Sequence, residues 1–315
     1  MTALVNKKHL AIIDGSGFIF RAFFSVKNLT TSTGFPIGAI HGLTNMLIKF
    51  KAQSRASHII IVFDTGQKSF RSELYPEYKA NRVPCPNDLK PQFPITREAV
   101  EALNLKFVEA AGFEADDVIA TYARQGRELG FYSTIISSDK DLMQLIDDEF
   151  INCYDPIQDK TIYKSDILNK FGVEHPSQIL DLLSIVGDSS DNIPGIKGIG
   201  PKTAQELLLK YHTLENIYKN IHLLEKKRTQ ELLYSGRESA ILSKKLATLN
   251  AEVPSLPSIE DFEVTEYDFP KLFDFLYKYD LKSIASRIAN DHRLDTKQFQ
   301  KQNVPQSGPI QDSFL

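Results

Sequence analysis

Short runs that are apolar throughout alternate along the first half of the chain with longer stretches whose apolar residues recur every three to four positions. Residues 9–14 (HLAIID), 59–64 (IIIVFD) and 132–139 (YSTIISSD) are runs of the first kind, and 105–108 is a shorter fourth. An unbroken apolar run predicts a strand buried on both faces, whereas the periodic stretch 37–53 between two of them predicts an amphipathic helix. Such strands alternating with helices predict an α/β fold with a mostly parallel central sheet flanked by helices. Beyond Tyr154 the pattern changes. Residues 155–163 read as a polar hairpin, and 165–172, 176–186 and 203–211 read as helices. Helical spacing then dominates to Asn290, broken at 253–257, with the aromatic-rich stretch 258–288 reading as a helix pair. From Asn290 the chain is polar and aperiodic, a tail or linker. The expected division is an α/β domain over 1–172, a helical region over 173–290 and a flexible tail over 291–315.

Composition changes this picture little. With 42% hydrophobic and 24% charged residues, 315 residues suffice for one large or two ordinary globular domains. The apolar run at 10–13 is too short for a signal peptide or a membrane span. Cys85 and Cys153 lie far apart without metal-ligand spacing, so a reducing, cytoplasmic setting is expected. A net charge of −3 does not announce a nucleic-acid binder, yet its distribution is uneven: ten lysines and arginines against five glutamates give +5 over residues 195–245.

Candidate chemistry changes it more. Asp14, Asp64 and Asp139 each end an apolar run, and sites in parallel sheets form beyond the carboxyl ends of the strands. After the candidate strand at 105–108, Glu114, Asp116 and Asp117 open a periodic helix; Asp141 follows Asp139, and Asp188 and Asp191 share one side of a helical turn. Taken singly, acids in a first turn are caps and dipole partners. Taken together, so many carboxylates cannot share one pocket ionised without cations. No His or Cys cluster supports zinc, while an all-carboxylate set suits Mg²⁺ or Mn²⁺, and a pair of such ions is a standard device for in-line phosphodiester displacement. Two divalent ions would also take the formal charge from −3 to +1.

Two further stretches concern phosphates. Residues 65–96 interleave Lys68, Arg71, Lys79, Arg82 and Lys90 with Tyr75, Tyr78 and several prolines. This composition reads either as a solvated loop or as a single-strand contact forming a basic arch over the centre. Residues 195–203 (GIKGIGPKT) nearly match a P-loop, but Pro201 separates Gly200 from Lys202, and 179–186 reads as a helix where a P-loop needs a strand. The better reading is a helix hairpin with its turn at 191–204. There Gly195, Gly198 and Gly200 let the backbone approach a DNA phosphate, Lys197 and Lys202 supply charge, and the helix starting at Thr203 offers free N–H groups.

The segments IDGSGFIFRAFF, FRSELYPEYKANR, FEADD, ISSDKDLMQL and GDSSDNIPGIKGIGPKTA, in this order over 9–288, resemble the 5′ nuclease domain of bacterial DNA polymerase I, in the flap endonuclease family. The resemblance implies one metal held by Asp14, Asp64, Glu114 and Asp116 with Asp117 close by, and a second held by Asp139, Asp141 and Asp191 with Asp188 near. It implies Arg21, Arg71, Lys79 and Arg82 against the scissile phosphate and its neighbours, and Phe20 stacking a base. It also implies a helix-three-turn-helix at 195–202 that grips duplex backbone and can hold a monovalent cation such as K⁺. Val83 and Cys85 stand where prolines are common in the family, a change expected to alter arch stiffness more than chemistry. The expected activity is a Mg²⁺-dependent, structure-specific 5′-3′ exonuclease and flap endonuclease acting on nicked or 5′-flapped duplex DNA and RNA-primed DNA. The expected agent is a monomer, either alone or with a polymerase domain fused downstream. The alternatives are a non-catalytic duplex-DNA-binding module of the same fold and a ribonuclease with a similar acidic site, against which the hairpin speaks.

Overall fold

The computed structural model describes residues 8–26 and 28–300. Its strands are β1 (His9–Asp14), β2 (His58–Val62), β3 (Lys106–Val108), β4 (Tyr132–Ile136), β5 (Ile151–Asp155) and β6 (Lys160–Ile162). Its helices begin with α1 (Gly15–Ser25), α2 (Gly38–Gln53), α3 (Phe70–Leu74), α4 (Gln92–Ala102), α5 (Ala115–Glu128), α6 (Lys164–Phe171) and α7 (Gln178–Val186). They continue with α8 (Pro201–Tyr211), α9 (Leu214–Lys219), α10 (Lys227–Ser235), α11 (Arg237–Ala247), α12 (Phe269–Lys278), α13 (Lys282–His292) and α14 (Lys297–Gln300). The chain divides into two compact units, one comprising residues up to 18, 55–85 and 106–264, the other 19–54, 86–105 and the residues from 265 on.

The first unit holds the sheet, in the order β3-β2-β1-β4-β5-β6. Every pairing is parallel except the hairpin of β5 and β6. The chain therefore runs outward from β1 to β3, returns, and runs outward again from β4. The chain leaves the carboxyl ends of the neighbouring strands β1 and β4 in opposite directions, the topology at which parallel sheets form their sites. Leu10, Ile12, Ile60, Val62 and Ile135 join Val118, Ile119 and Tyr122 of α5 in the core, and the alternate residues Ala11, Ile13, Ile59 and Ile61 are buried as well. Both faces of the strands are thus covered, which is why they read as unbroken apolar runs. Two strands are shorter than expected: β2 stops at Val62 and β4 at Ile136, leaving Asp64 and Asp139 on the loops that follow. Strand β5 was not foreseen, because Asn152 and Tyr154 interrupt its apolar pattern. The helices α6 to α11 share the same core through Ile167, Ile179, Leu207 and Leu233.

In the second unit α2 packs on α4, and α12 packs on α4, α13 and α14. Gln92 caps α2, its Oε1 accepting the Ala39 and Ile40 N–H groups at 2.9 and 3.3 Å. Between α12 and α4, the Glu98 carboxylate accepts the Lys278 ammonium at 2.7 Å and the Tyr279 hydroxyl at 2.6 Å. Of the expected tail, α13 runs to His292, and Phe299 of α14 stacks on Phe273 with ring centroids 4.3 Å apart. Residues 301–315 lie outside the described residues. Among the described residues no helix is long and apolar enough to cross a membrane.

Candidate active site

The carboxyl ends of the strands gather the aspartates of the first unit. Asp14 ends β1; its carboxylate accepts the Gly17 N–H at 2.8 Å and the Ser137 hydroxyl at 2.9 Å, so the loop after β4 is tied to the end of β1. Asp64 accepts the Ala115 N–H at 2.8 Å, where the first turn of α5 has donors without a helical partner. Its own N–H donates to the Ser16 hydroxyl at 2.8 Å. Asp139 accepts the Asp141 N–H at 2.8 Å and so places that residue at the start of a 3₁₀ turn, Asp141–Leu145. Asp188 and Asp191 lie in the turn after α7, closed by reciprocal backbone hydrogen bonds between Asp188 and Ile193 at 2.9 and 2.8 Å.

A cationic arm is stitched to that turn. Lys79 has a left-handed backbone, φ 57°, and its N–H donates to the Asp191 carbonyl at 2.9 Å. The Asn81 amide donates to the Ser189 carbonyl at 2.6 Å, and the Asn192 amide, on another left-handed residue with φ 56°, donates to the Glu77 carbonyl at 2.7 Å. These bonds set the Lys79 ammonium 2.9 Å from Glu114 and 3.6 Å from Asp191, while the Arg82 guanidinium also pairs with Asp191. Lys140 lies 3.1 Å from Asp188. Asn81, Lys140, Asn192 and the hydroxyls of Ser16 and Ser137 were not singled out from the sequence. Lys140 alone carried a signal there, a cation flanked on both sides by expected metal ligands.

Arg71, Asp117 and Tyr78 do something other than expected. Arg71 is 2% exposed and Asp117 0% exposed, and they bind each other through two hydrogen bonds of 2.7 Å. The rest of the Arg71 guanidinium donates to the Leu246 and Thr248 carbonyls at 2.7 and 2.8 Å, and Asp117 also accepts the N–H groups of Asn250 at 2.8 Å and Glu114 at 3.1 Å. With its polar atoms so engaged, Asp117 has none left for a metal, while Arg71 also lies 3.5 Å from Glu114. Tyr78 is 7% exposed, too buried to stack on a base, and its hydroxyl donates to Glu114 at 3.1 Å and Asp191 at 3.3 Å. Tyr75 is half-buried, with its hydroxyl on Glu77 at 2.8 Å. Phe20 and Arg21 belong to the part of α1 in the second unit, where Phe20 is 39% exposed and meets Phe93 edge-on, centroids 6.2 Å apart.

In the helix hairpin the glycines separate into two kinds. Gly195 is buried with φ 61°; its N–H donates to the Ser243 hydroxyl at 2.9 Å, and a Cβ there would fall 2.3 Å from the Gly187 nitrogen. It serves the packing of the hairpin and cannot meet a phosphate. Gly198 and Gly200 are exposed together with Lys197 and Lys202, and a Cβ at Gly200 would meet nothing within 4 Å. Pro201 opens α8, so the N–H groups of Lys202 and Thr203 in its first turn are available to an anion.

Electrostatics divides the cluster. Burial pushes the Asp14 carboxyl up to about 6, with repulsion from Asp64 and Asp139 adding to it. Asp116 is raised well above the usual range by burial and by Asp139 and Asp14. Burial raises Asp141 to about 7, with Asp139 and Asp188 contributing. Burial acts in the same direction on Glu114 and Asp188, but Lys79 with Arg71, and Ser190 with Lys140, outweigh it and hold these two below the usual range. In one set, Asp14, Asp116 and Asp139, mutual repulsion adds to burial and outweighs the nearby Lys79; Asp141 joins it through Asp139. Among the described residues no three His, Cys, Asp or Glu side chains already converge on a single ion position. The chemistry of the set fits a hard divalent ion all the same: the donors are carboxylate oxygens, they repel one another, and Asp141 Oδ1 is buried with no hydrogen-bond partner.

The chain matches two family profiles: over residues 9–172 the 5′-3′ exonuclease N-terminal resolvase-like domain, and over 174–270 the 5′-3′ exonuclease C-terminal SAM fold. It is 42% identical over 289 residues to DNA polymerase I of Rhizobium leguminosarum and 38% identical over 281 residues to the 5′-3′ exonuclease of Aquifex aeolicus. Both alignments cover 89% of this chain, but they cover 28% of the polymerase and 95% of the exonuclease. The chain thus spans under a third of the first relative and nearly all of the second. Among solved structures, the T5 5′-exonuclease with bound divalent zinc aligns with a TM-score of 0.66 and 24% identity over 77% of this chain and 90% of that one. The catalytic core of Rad2 in complex with a DNA substrate aligns with a TM-score of 0.57 and 16% identity over 87% and 88%. Fold and profiles together define the class, a nuclease with a mostly parallel sheet and a helical carboxyl-terminal region. Within that class the chain belongs to the 5′-3′ exonuclease family.

Proposed function

We propose that the chain is a divalent-metal-dependent, structure-specific 5′ nuclease that hydrolyses phosphodiesters in nicked or 5′-flapped duplex DNA and in RNA-primed DNA. The observation that carries this reading is the cationic arm hydrogen-bonded to the turn that bears Asp188 and Asp191, beside carboxylates that repel one another. Asp14, Asp64, Asp116 and Glu114 would hold one ion, and Asp139, Asp141, Asp188 and Asp191 the other. Such a pair supplies Lewis-acid activation of water and stabilisation of the leaving oxygen.

The remaining steps belong to the protein. The Ser137 hydroxyl and the Gly17 N–H orient the Asp14 carboxylate, and the Ala115 N–H orients Asp64. Lys79 and Arg82, now on Glu114 and Asp191, would turn to the non-bridging phosphate oxygens, where charge grows in the transition state. The exposed Gly198, Lys197, Gly200 and Lys202, with the start of α8, would hold duplex backbone and so fix which phosphodiester enters, and a K⁺ bound in the turn would add positive charge there.

The reading is tested with a labelled 5′-flapped duplex and a plain single strand of the same sequence, each incubated with Mg²⁺ or with EDTA. Release from the flap in Mg²⁺ alone, faster than from the single strand and abolished by Asp139→Ala while flap binding persists, is the expected result. Binding without turnover in the parent protein would leave a DNA-binding module instead. Equal cleavage of both substrates would remove the hairpin as the selector of the junction.

A further inference from the structure

A groove between α9, the end of α10 and α11 has a volume of about 600 Å³, within the range of small-ligand sites. None of its lining residues belongs to the carboxylate cluster or to the turn at 191–200. Its apolar parts are Leu214, Ile241 and the rings of Tyr218 and Tyr234. Tyr218 is fixed by a hydrogen bond from its hydroxyl to the Leu233 carbonyl at 3.1 Å, whereas Tyr234 is 59% exposed.

The charges are one-sided. Four cations line the groove, Lys219, Arg237, Lys244 and Lys245, against one carboxylate, Glu215. That carboxylate is engaged by Lys244 at 2.6 Å, and Lys244 is engaged by Asp181 as well at 2.8 Å. Among the described residues Lys219, Arg237 and Lys245 stand in no ion pair, and all three are exposed. On α11, Arg237, Ile241, Lys244 and Lys245 follow one another at helical spacing, so a cation, an apolar surface and two more cations lie along one face. The Arg237 guanidinium lies 5.6 Å from the Tyr218 ring centre, and this contact holds it at the mouth.

We infer that this groove is a second nucleic-acid site, taking a single-stranded segment with one base against Tyr234 and Ile241 and its flanking phosphates on Lys219, Arg237 and Lys245. An aromatic face beside unpaired cations is the combination that single strands require, since every base has a π-face and every linkage a charge. A duplex hides its base faces and could use the cations alone. An acidic peptide could use the cations but has no flat ring in each unit to set on Tyr234.

The chain contains no tryptophan, so Tyr234→Trp places a unique reporter at the proposed contact while keeping an aromatic ring. In EDTA, titrating the full chain carrying this substitution with a 12-nucleotide oligo(dT) should quench the tryptophan saturably. Adding Arg237→Glu and Lys245→Glu should weaken the apparent Kd at least tenfold. Loss of two phosphate contacts should also lower the slope of log Kd against log salt by about 1.4, at roughly 0.7 per contact for single strands. Lys202→Glu, in the hairpin, should leave the quench unchanged. Absence of a quench, an equal response to a blunt duplex or to a poly-glutamate 12-mer, or indifference to the charge reversals would each overturn the site. Because no cleavage is read, a quench that persists in a protein unable to cut flaps would retire the proposed nuclease activity and leave this site standing.

Discussion

Replacing Asp117 by asparagine keeps the size of the side chain and removes its charge from a site that solvent does not reach. The carboxylate accepts four hydrogen bonds, two from Arg71 at 2.7 Å and one each from the N–H groups of Asn250 and Glu114 at 2.8 and 3.1 Å. An amide offers one oxygen, and its NH₂ must then face a donor. Removing one partner of a buried ion pair costs about 3–5 kcal/mol, because the other charge stays buried without it. Arg71 retains the Leu246 and Thr248 carbonyls, which argues for the lower end, about 3 kcal/mol. A domain of 150–250 residues loses about 2–4 °C per kcal/mol, so the midpoint should fall by roughly 10 °C. Circular dichroism melts in EDTA and in Mg²⁺ check this, together with single-turnover cleavage of a flapped duplex well below the lowered midpoint. The midpoint should fall by the same amount in both buffers, with the cleavage rate within about fivefold of the parent at the lower temperature. Combining Asp117→Asn with Arg71→Met should be less harmful than the sum of the single changes, since the orphaned charge is then gone. An Asp117→Asn protein that melts like the parent yet has lost cleavage a thousandfold would refute the reasoning and return Asp117 to the metals.

Three other expectations rest on the same geometry. Asp14 and Asp141, raised to about 6 and about 7, bind protons more tightly folded than unfolded. The stability they give is therefore full below their unfolded pKa near 4 and is lost as pH rises through 6 and 7, so melts in EDTA should fall from pH 5 to pH 8 and flatten in Asp14→Asn. Mg²⁺ should restore the midpoint at pH 8 and hardly change it at pH 5; no Mg²⁺ effect at pH 8 would count against a metal in this cluster. Gly195→Ala forces a Cβ against the Gly187 backbone at φ 61° and should lower stability by several kcal/mol in urea titrations, whereas Gly200→Ala, with open space around it, should stay within about 0.5 kcal/mol and weaken duplex binding only. Asn192→Asp keeps a residue that tolerates φ 56° but turns the donor facing the Glu77 carbonyl into an acceptor. Single-turnover cleavage should slow about tenfold at saturating substrate with little change in melting, and an unaltered rate would show that this tie does not position the arm.

The sheet was legible because burial on both faces writes itself into adjacent positions: Ile59, Ile60 and Ile61 need no knowledge of any distant residue to be read as a strand. Strand β5 escaped for the converse reason. Asn152 and Tyr154 are polar yet paired within a parallel ladder to Thr134 and Ile136, and such pairing is a property of register that no local window contains. The division into units escaped similarly. Nothing in residues 86–105 or 265–292 says that they share a compact unit with 19–54, because the ties among them, Gln92 to Ala39 and Lys278 to Glu98, join positions tens to hundreds of residues apart.

For the site, residue type announced the chemistry but not the pairing. Nine acids at element ends were visible, and the two that looked most alike, Asp116 and Asp117, proved the most different. They are neighbours on α5, and the helix turns by about 100° from one residue to the next. Asp116 therefore points where Asp14 and Asp139 repel it, while Asp117 points into the protein, where Arg71 arrives from α3 with matching geometry. Read along the chain, Arg71 belongs with Lys79 and Arg82 as a phosphate ligand. Burial separates the two cations: Lys79 keeps 23% of its side chain exposed beside Glu114, whereas Arg71 keeps 2%. Asp117, 0% exposed, takes two hydrogen bonds from Arg71 and leaves that guanidinium only a longer contact of 3.5 Å with Glu114, so the pair becomes part of the core.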